Sequence, residues 1–237
     1  MSSVITPDTV ADRYVEAHQR IVDLVADVDD SRAGRIVPGT PEWTVHDLVA
    51  HLAAIPSDIV TGRLRGVPTS EQTQAQVDAR RDRPVVDLLA EWQSGLDPIV
   101  EGARVGLVPA PLAIDAITHE QDLRGALGAA PLPDDVALRF GVIGFSYGLQ
   151  HRLSAVGLPA VRISDPTRGF EVTVGDGEPA VTVRAPEFEL FRAVAGRRSR
   201  SQVAAFTWSA HGSVDPAAYL DAFCVFGPLR AEDLDEG

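Results

Sequence analysis

The sequence is short of cysteine, of basic residues and of long hydrophobic runs, and each shortage excludes a class of protein. With one cysteine, Cys224, the chain forms no internal disulfide, which is typical of a reducing cytosol. The chain has 21 Lys and Arg residues against 34 Asp and Glu residues, and the resulting net charge of −13 argues against a nucleic-acid partner. No apolar run approaches the roughly 20 residues of a membrane-spanning helix, and the first residues lack the basic head and apolar core of a signal peptide. We therefore expect a cytoplasmic protein with no nucleic-acid or membrane partner.

What the sequence does contain is the composition of an ordinary globular protein. Its 237 residues are 45% hydrophobic and 23% charged, enough for one large or two modest domains with a normal core. Helical patterns precede Gly157 and strand patterns follow it. The predicted fold class is therefore α+β, with a helical domain over 1–157 and a small α+β domain over 158–237.

Apolar residues recur at a helical period through most of the first domain. This spacing, with capping and proline signals at the ends, predicts helices over about 6–29, 44–64, 84–96, 111–128 and 133–156. The polar stretch over 69–82 is predicted to be a loop. Helices of this length with short connections favour an antiparallel bundle, and bundles commonly carry sites on facing helices.

The second domain shows short β-branched runs bounded by turn residues. The runs AVRISD, FEVTVGD and AVTVRAP predict a small antiparallel sheet. A short helix in APEFELFRAVAGR, a fourth strand in FTWSAHG and a terminal helix opened by Asp215 and Pro216 complete the prediction.

One helix of the predicted bundle carries a histidine beside its buried face. Thr44 is a good N-cap and Asp47 can complete a capping box, so the helix is expected to begin there. Leu48 and Ile55 belong to its apolar stripe, and His51 lies three residues after the first and four before the second. A polar ring at the border of a buried stripe needs a partner.

A second helix holds the most informative stretch of the chain, where Asp115, His119 and Asp122 stand at i, i+4 and i+7. Because successive helical residues turn by about 100°, the three side chains share one narrow sector of the helix surface. Two imidazole nitrogens from His51 and His119 with a carboxylate oxygen from Asp115 would form a three-ligand site with an open position, as in catalytic zinc sites. The alternative is that hydrogen bonds or water satisfy each residue separately.

A known family is indicated by two segments, PEWTVHDLVAHLAA and DAITHEQDLRGALG, and by the C-terminal order of strands followed by FELFRAVAGRRS and a final helix. In these features the chain resembles the mycothiol-dependent maleylpyruvate isomerase family. The resemblance covers nearly the whole chain and implies a DinB-like four-helix bundle followed by a sterol-carrier-like domain. It also implies that His51, Asp115 and His119 bind a divalent metal, zinc by preference. The isomerase proper has Glu where this chain has Asp115, and a side chain one methylene shorter requires a closer approach or a different mode of binding.

The resemblance implies two further residues of the site. Asp122 matches an acidic residue three positions after the second histidine, and it would orient a ligand or a substrate group. The alternative is a salt bridge with Arg124 or a plain surface charge. An arginine of the C-terminal domain would hold a substrate carboxylate, and Arg197, which follows Gly196, is chosen over Arg192.

The activity implied by the resemblance uses mycothiol as a cofactor. A divalent metal with an open position deprotonates a thiol whose free pKa is about 8.5. The thiolate then adds to the cis double bond of an unsaturated diacid, and rotation and elimination leave the trans isomer. The expected partners are a small-molecule thiol and an electrophilic substrate, and the chain is expected to be a monomer or a homodimer. Two alternatives share these residues: a mycothiol S-transferase without an elimination step, and a non-catalytic binding or regulatory module.

Overall fold

A computed structural model describes residues 4–133 and 135–236 of the chain. Within these ranges the chain divides into two compact units, one over 6–133 and one over 135–235. The helix at 135–155 lies in the second unit, because it packs against a strand and a helix of that unit. The predicted boundary at 157/158 thus falls one helix later than this division. No helix in the described ranges is long and apolar enough to cross a membrane.

The first unit is a four-helix bundle with small additions. Its elements in chain order are α1 (Pro7–Val25), α2 (Asp30–Ala33), β1 (Ile36–Val37), β2 (Thr40–Thr44), α3 (Val45–Val60), α4 (Ser70–Asp78), α5 (Val85–Arg104) and α6 (Pro111–Leu127). Helix α3 packs on α5 and α6, and α1 packs on the same two helices, which closes the bundle. Each of these four helices contributes a fully buried side chain to the core: Tyr14, Leu48, Trp92 and Ile117.

The helices that carry the predicted ligands begin and end at local signals. Thr44 caps α3 in a capping box, because its hydroxyl oxygen accepts the Asp47 N–H and the Asp47 carboxylate accepts the Thr44 N–H at 3.0 Å. Helix α6 begins at Pro111 and stops before Gly128, whose φ of +68° is left-handed. Both starts agree with the prediction from the sequence.

The prediction of a loop over 69–82 is wrong, because this stretch contains helix α4. Its start carries a capping box in which the Thr69 hydroxyl oxygen accepts the Gln72 N–H and the Gln72 side-chain oxygen accepts the Thr69 N–H. The helix is short and mostly polar, so the apolar period that marks the longer helices is missing. The prediction also did not include the β1–β2 hairpin, and α1 and α3 end earlier than predicted, at Val25 and Val60.

The second unit combines one long helix with a mixed sheet. Its elements are α7 (Asp135–Ala155), β3 (Val161–Asp165), β4 (Phe170–Val174), β5 (Val181–Arg184), α8 (Glu187–Val194), α9 (Arg200–Ala204), β6 (Thr207–Ala210) and a 3-10 helix (Pro216–Ala222). The strand order is β4-β3-β5-β6. The prediction of an all-antiparallel sheet is wrong at one pairing, since β3 and β5 run parallel. The predicted terminal helix is present as this 3-10 helix, with Asp215 as its N-cap.

The chain path explains the parallel pair. Strand β4 runs antiparallel to β3, so β4 ends beside the start of β3. Strand β5 begins at that same end of the sheet, on the other side of β3, and therefore runs parallel to β3. The connection passes the start of β3 with Gly175 at φ +100°, where a Cβ would lie 3.0 Å from the Ala160 Cα. The Ala180 N–H then donates to the Ala160 carbonyl at 2.9 Å. With a mainly helical first unit and a four-stranded sheet with helices in the second, the fold class is α+β, as predicted.

Candidate metal centre

Three side chains with metal-binding atoms meet between α3 and α6. His51 Nε2 lies 3.5 Å from Asp115 Oδ2, and His119 Nε2 lies 3.4 Å from Asp115 Oδ1. One such atom from each of the three residues lies within 4.8 Å of the other two. Both histidines are buried, whereas the Asp115 side chain is 36% exposed. The cluster is therefore accessible from the side of Asp115.

These separations suit a divalent cation. A tetrahedral metal with ligand bonds of about 2.0–2.2 Å holds neighbouring ligand atoms about 3.3–3.6 Å apart. Each imidazole nitrogen lies within that range of a different Asp115 oxygen, and one ligand atom per residue lies within 4.8 Å of the other two. The nitrogen-to-oxygen distances of 3.4 and 3.5 Å exceed the about 2.7–3.2 Å of an N–H···O hydrogen bond. Two nitrogens and one carboxylate oxygen suit zinc, and three ligands leave a position for a further group.

The second nitrogen of each imidazole is bound to an acceptor. His51 Nδ1 lies 3.0 Å from Gln76 Oε1, and His119 Nδ1 lies 2.9 Å from Asp122 Oδ2. An amide oxygen and a carboxylate oxygen only accept hydrogen bonds, so both Nδ1 atoms carry the proton. In the neutral rings the lone pairs are then on Nε2 and face Asp115. This arrangement orients imidazoles for metal binding.

Gln76, on α4, is the contact that the sequence analysis missed. Its Nε2 donates to Asp58 Oδ2 at 2.8 Å, which directs its Oε1 towards His51. Asp58 is in turn bound by the Arg63 guanidinium at 2.8 Å. The signal that could have located Gln76 is the Thr69 capping box, since it begins the helix that presents this side chain.

Burial and charge act against each other on the ionisable groups of the cluster. Burial alone would raise the pKa of Asp115, but the imidazoles of His119 and His51 more than offset this and hold it well below its usual range. Burial alone would lower the pKa of His119, but the carboxylates of Asp115 and Asp122 raise it to about 9. The site thus favours an ionised carboxylate with a positive charge beside it, and a proton or a metal cation can supply that charge.

Trp43 on β2 covers the two imidazoles. Its ring centroid lies 5.2 Å from that of His51 and 6.4 Å from that of His119, and the two imidazoles meet edge to face at 5.5 Å. The β1–β2 hairpin therefore contributes a wall of the site. An aromatic wall limits water access to the rings, which strengthens the electrostatic interactions there.

The remaining predicted residues lie in different surroundings. Asp122 is buried beside His119, and the neighbouring Arg124 pairs with Glu120 at 2.9 Å. Arg197 belongs to the second compact unit, where its guanidinium donates to the Ala195 carbonyl at 2.7 Å. Arg192, the residue passed over in its favour, is fully buried in the same unit.

The sequence of the bundle matches a known family. Residues 14–105 match the model of the mycothiol maleylpyruvate isomerase N-terminal domain. The N-terminal unit is similar to this family over the matched residues. The resemblance drawn from the sequence motifs is therefore confirmed. The matched segment contains His51 and Gln76 but ends before α6, so it does not include Asp115 or His119.

Two solved structures share the fold of nearly the whole chain. Both are crystal structures of mycothiol-dependent maleylpyruvate isomerase, one of them a histidine-to-alanine mutant. They are 16% and 14% identical to this chain, with TM-scores of 0.57 and 0.56, and each comparison covers 91% of this chain and 98% of the other. At this identity the likeness concerns the fold alone. No curated protein matches the chain by sequence.

Proposed function

We propose that this chain is a mycothiol-dependent isomerase of maleylpyruvate or of a similar small unsaturated acid. In this proposal His51, Asp115 and His119 hold a divalent metal, with zinc preferred for its nitrogen and oxygen ligands. The family of the N-terminal unit supports the thiol and the class of reaction. The geometry of the cluster supports the metal.

One observation carries the proposal: two imidazole Nε2 atoms face one carboxylate while both Nδ1 atoms are engaged elsewhere. If separate hydrogen bonds explained the cluster, a proton on Nε2 would bring the nitrogen and oxygen within about 3.2 Å. The distances of 3.4 and 3.5 Å are longer than that and are compatible with two ligands of one metal ion.

When bound, a divalent cation with an open position lowers the pKa of a coordinating thiol and so supplies a nucleophile at neutral pH. The residues of the chain prepare that position. Gln76 and Asp122 hold the imidazoles with their Nε2 atoms towards Asp115, and Trp43 covers the rings. In this proposal Asp122 is a positioning residue for His119. Arg197 stays a predicted contact of the substrate carboxylate.

Metal content tests the first half of the proposal. We expect about one zinc per wild-type chain after dialysis against a zinc buffer, measured by plasma mass spectrometry. His51→Ala and His119→Ala should each lose the bound metal. His46→Ala is the matched control, because this histidine is on the same helix but contacts the Arg83 carbonyl oxygen at 2.7 Å. A wild type that retains no metal, or variants that retain it equally, would contradict the proposal.

Product analysis tests the second half. With the zinc-loaded protein and maleylpyruvate, we expect a trans product that forms only when mycothiol is present. A stable conjugate of mycothiol with the substrate would instead identify an S-transferase. Metal retention without either product, for maleylpyruvate and for related cis-unsaturated acids, would contradict the enzymatic proposal and favour a binding or regulatory module.

A further inference from the structure

A cavity of about 490 Å³ in the N-terminal unit extends to Asp115. It is bounded by α3, by the loop over 61–69, by the loop between α5 and α6, and by the first turns of α6. Its volume is that of sites for small ligands, which range over about 300–1,000 Å³. Most of its wall is apolar, and the larger apolar side chains are Ile55, Ile59, Leu64, Val67, Leu107 and Leu112.

Two charged side chains line this cavity, Asp115 and Arg65. Arg65 lies in the loop after α3 and is exposed. Over residues 4–133 and 135–236, no acceptor or carboxylate binds the Arg65 guanidinium, whereas the nearby Arg63 pairs with Asp58 at 2.8 Å. A guanidinium presents five donors in a planar fork that matches a carboxylate. Its position in an apolar wall therefore favours a ligand with an anionic end.

We propose that this cavity binds the electrophilic substrate and that Arg65 binds a carboxylate of it. The ligand class is a small unsaturated acid, with its apolar body against the walls and its reacting carbon at the Asp115 end of the cavity. The identification of the ligand as the electrophile rests on the proposed function. The cavity and the position of Arg65 are independent of it.

The wall of the cavity limits what else it can bind. None of the side chains that line it carries a hydroxyl or an amide. Asp115 and Arg65 are therefore the side chains of this lining that can form hydrogen bonds, and an uncharged ligand with many hydroxyl groups would leave most of them unpaired.

Calorimetric titration of maleate, a cis-unsaturated diacid, into the full chain tests the proposal. The protein is treated with EDTA, so that a carboxylate cannot bind a metal. We expect Arg65→Ala to weaken maleate binding at least about tenfold and Arg65→Lys to restore part of the loss. Dimethyl maleate, which is uncharged, should bind wild type and Arg65→Ala within about twofold, because it cannot use the guanidinium. Arg81→Ala is the control for loss of a surface charge, since Arg81 pairs with Asp78 outside the cavity.

A second variant separates the cavity from the charge. Ile59→Trp fills part of the cavity and should weaken maleate and dimethyl maleate alike. Equal binding of maleate by wild type and Arg65→Ala, or no binding by wild type at millimolar concentration, would overturn the inference. If the wild type retains metal but Arg65→Ala binds maleate as tightly as the wild type, only this inference fails. If maleate binding depends on Arg65 but no metal is retained, only the proposed function fails.

Kinetics give a further readout in the zinc-loaded protein with mycothiol. Arg65→Ala should raise KM for the acid about tenfold or more while kcat changes much less, because the interaction is made equally in the ground and transition states. A fall in kcat with unchanged KM would count against a binding role.

Discussion

Each of the two compact units contains a carboxylate that meets two nitrogen atoms. In the C-terminal unit the buried carboxylate of Asp165 accepts hydrogen bonds from the N–H groups of Thr167 and Glu187, each at 3.0 Å. In the N-terminal unit the carboxylate of Asp115 faces two imidazole nitrogens at 3.4 and 3.5 Å. The Asp165 oxygens thus have short bonds to groups that always carry a proton. The Asp115 oxygens face imidazole nitrogens at distances longer than an ordinary hydrogen bond. One carboxylate is satisfied by the fold, and the other is arranged to bind something more.

The same difference extends to the neighbouring groups. Glu187 of the C-terminal unit is bound by the Arg139 guanidinium at 2.8 Å, a permanent cation that closes a structural contact. In the N-terminal unit, Gln76 and Asp122 bind the rear nitrogens of His51 and His119 and leave the front nitrogens directed at Asp115. We infer a ligand site where atoms that can bind a metal converge, as around Asp115, and structural support where N–H groups bind the carboxylate oxygens, as at Asp165.

The largest expected effect is on Asp115. Asp115→Asn replaces a charged ligand with a neutral amide. Substitutions of residues that only hydrogen-bond to ligands lower metal affinity by up to about 100-fold, and we expect a larger loss of zinc affinity here. Competition with a coloured chelator measures the affinity. Asp115→Glu keeps the charge and should retain more affinity than the Asn variant. If Asp115→Asn bound zinc with wild-type affinity, Asp115 would not be a ligand, and the contrast with Asp165 would not hold.

A smaller effect is expected from Gln76, which does not touch the metal. Gln76→Leu removes the acceptor for the His51 Nδ1 proton, so the ring loses its orientation, and zinc affinity should fall about 10–100-fold. Gln19→Leu is a matched control on α1, because Gln19 is exposed and its amide donates to Asp23 at 2.9 Å, away from the cluster. If Gln76→Leu lowered the free energy of unfolding but left the zinc affinity unchanged, Gln76 would be structural like Asp165.

The smallest effect is expected in the C-terminal unit. Asp165→Asn replaces one acceptor oxygen with an NH₂ group and leaves a buried N–H unpaired, so the free energy of unfolding should fall by about 1–2 kcal/mol, a factor of about 5–30 in the folded-to-unfolded ratio. Zinc affinity should not change. Urea denaturation and the chelator assay measure the two quantities, and a loss of zinc binding would show that the two carboxylates do not have separate roles.

The same variant has an expected pH dependence. Burial alone would raise the pKa of Asp165, but hydrogen bonds from Thr167 and from the Glu187 and Thr167 backbone lower it overall. A lowered pKa in the folded state stabilises the protein above the unfolded value of about 3.9 and stops doing so as the pH falls through the folded value. The difference in unfolding free energy between wild type and Asp165→Asn should therefore be constant near neutral pH and shrink below about pH 4.

The parts predicted well from the sequence are those encoded over a few residues. Capping at Thr44, the proline at the start of α6 and Gly128 at its end are local, and each lies where the prediction put it. Helix α4 was missed because nine mostly polar residues carry no apolar period. The parallel pairing of β3 with β5 was missed because strand direction depends on the path of the connection past Ala160, which no short pattern encodes.

The sequence by itself determined that Asp115 and His119 share one face of a helix, because a spacing of four residues does so in any α-helix. Only the tertiary structure decided that His51 meets them, since the approach of α3 and α6 depends on the packing of both helices with α1 and α5. It also decided that Gln76, 25 residues from His51, orients that ring. Side-chain spacing is a property of the helix alone, whereas contacts across the bundle depend on how all four helices pack.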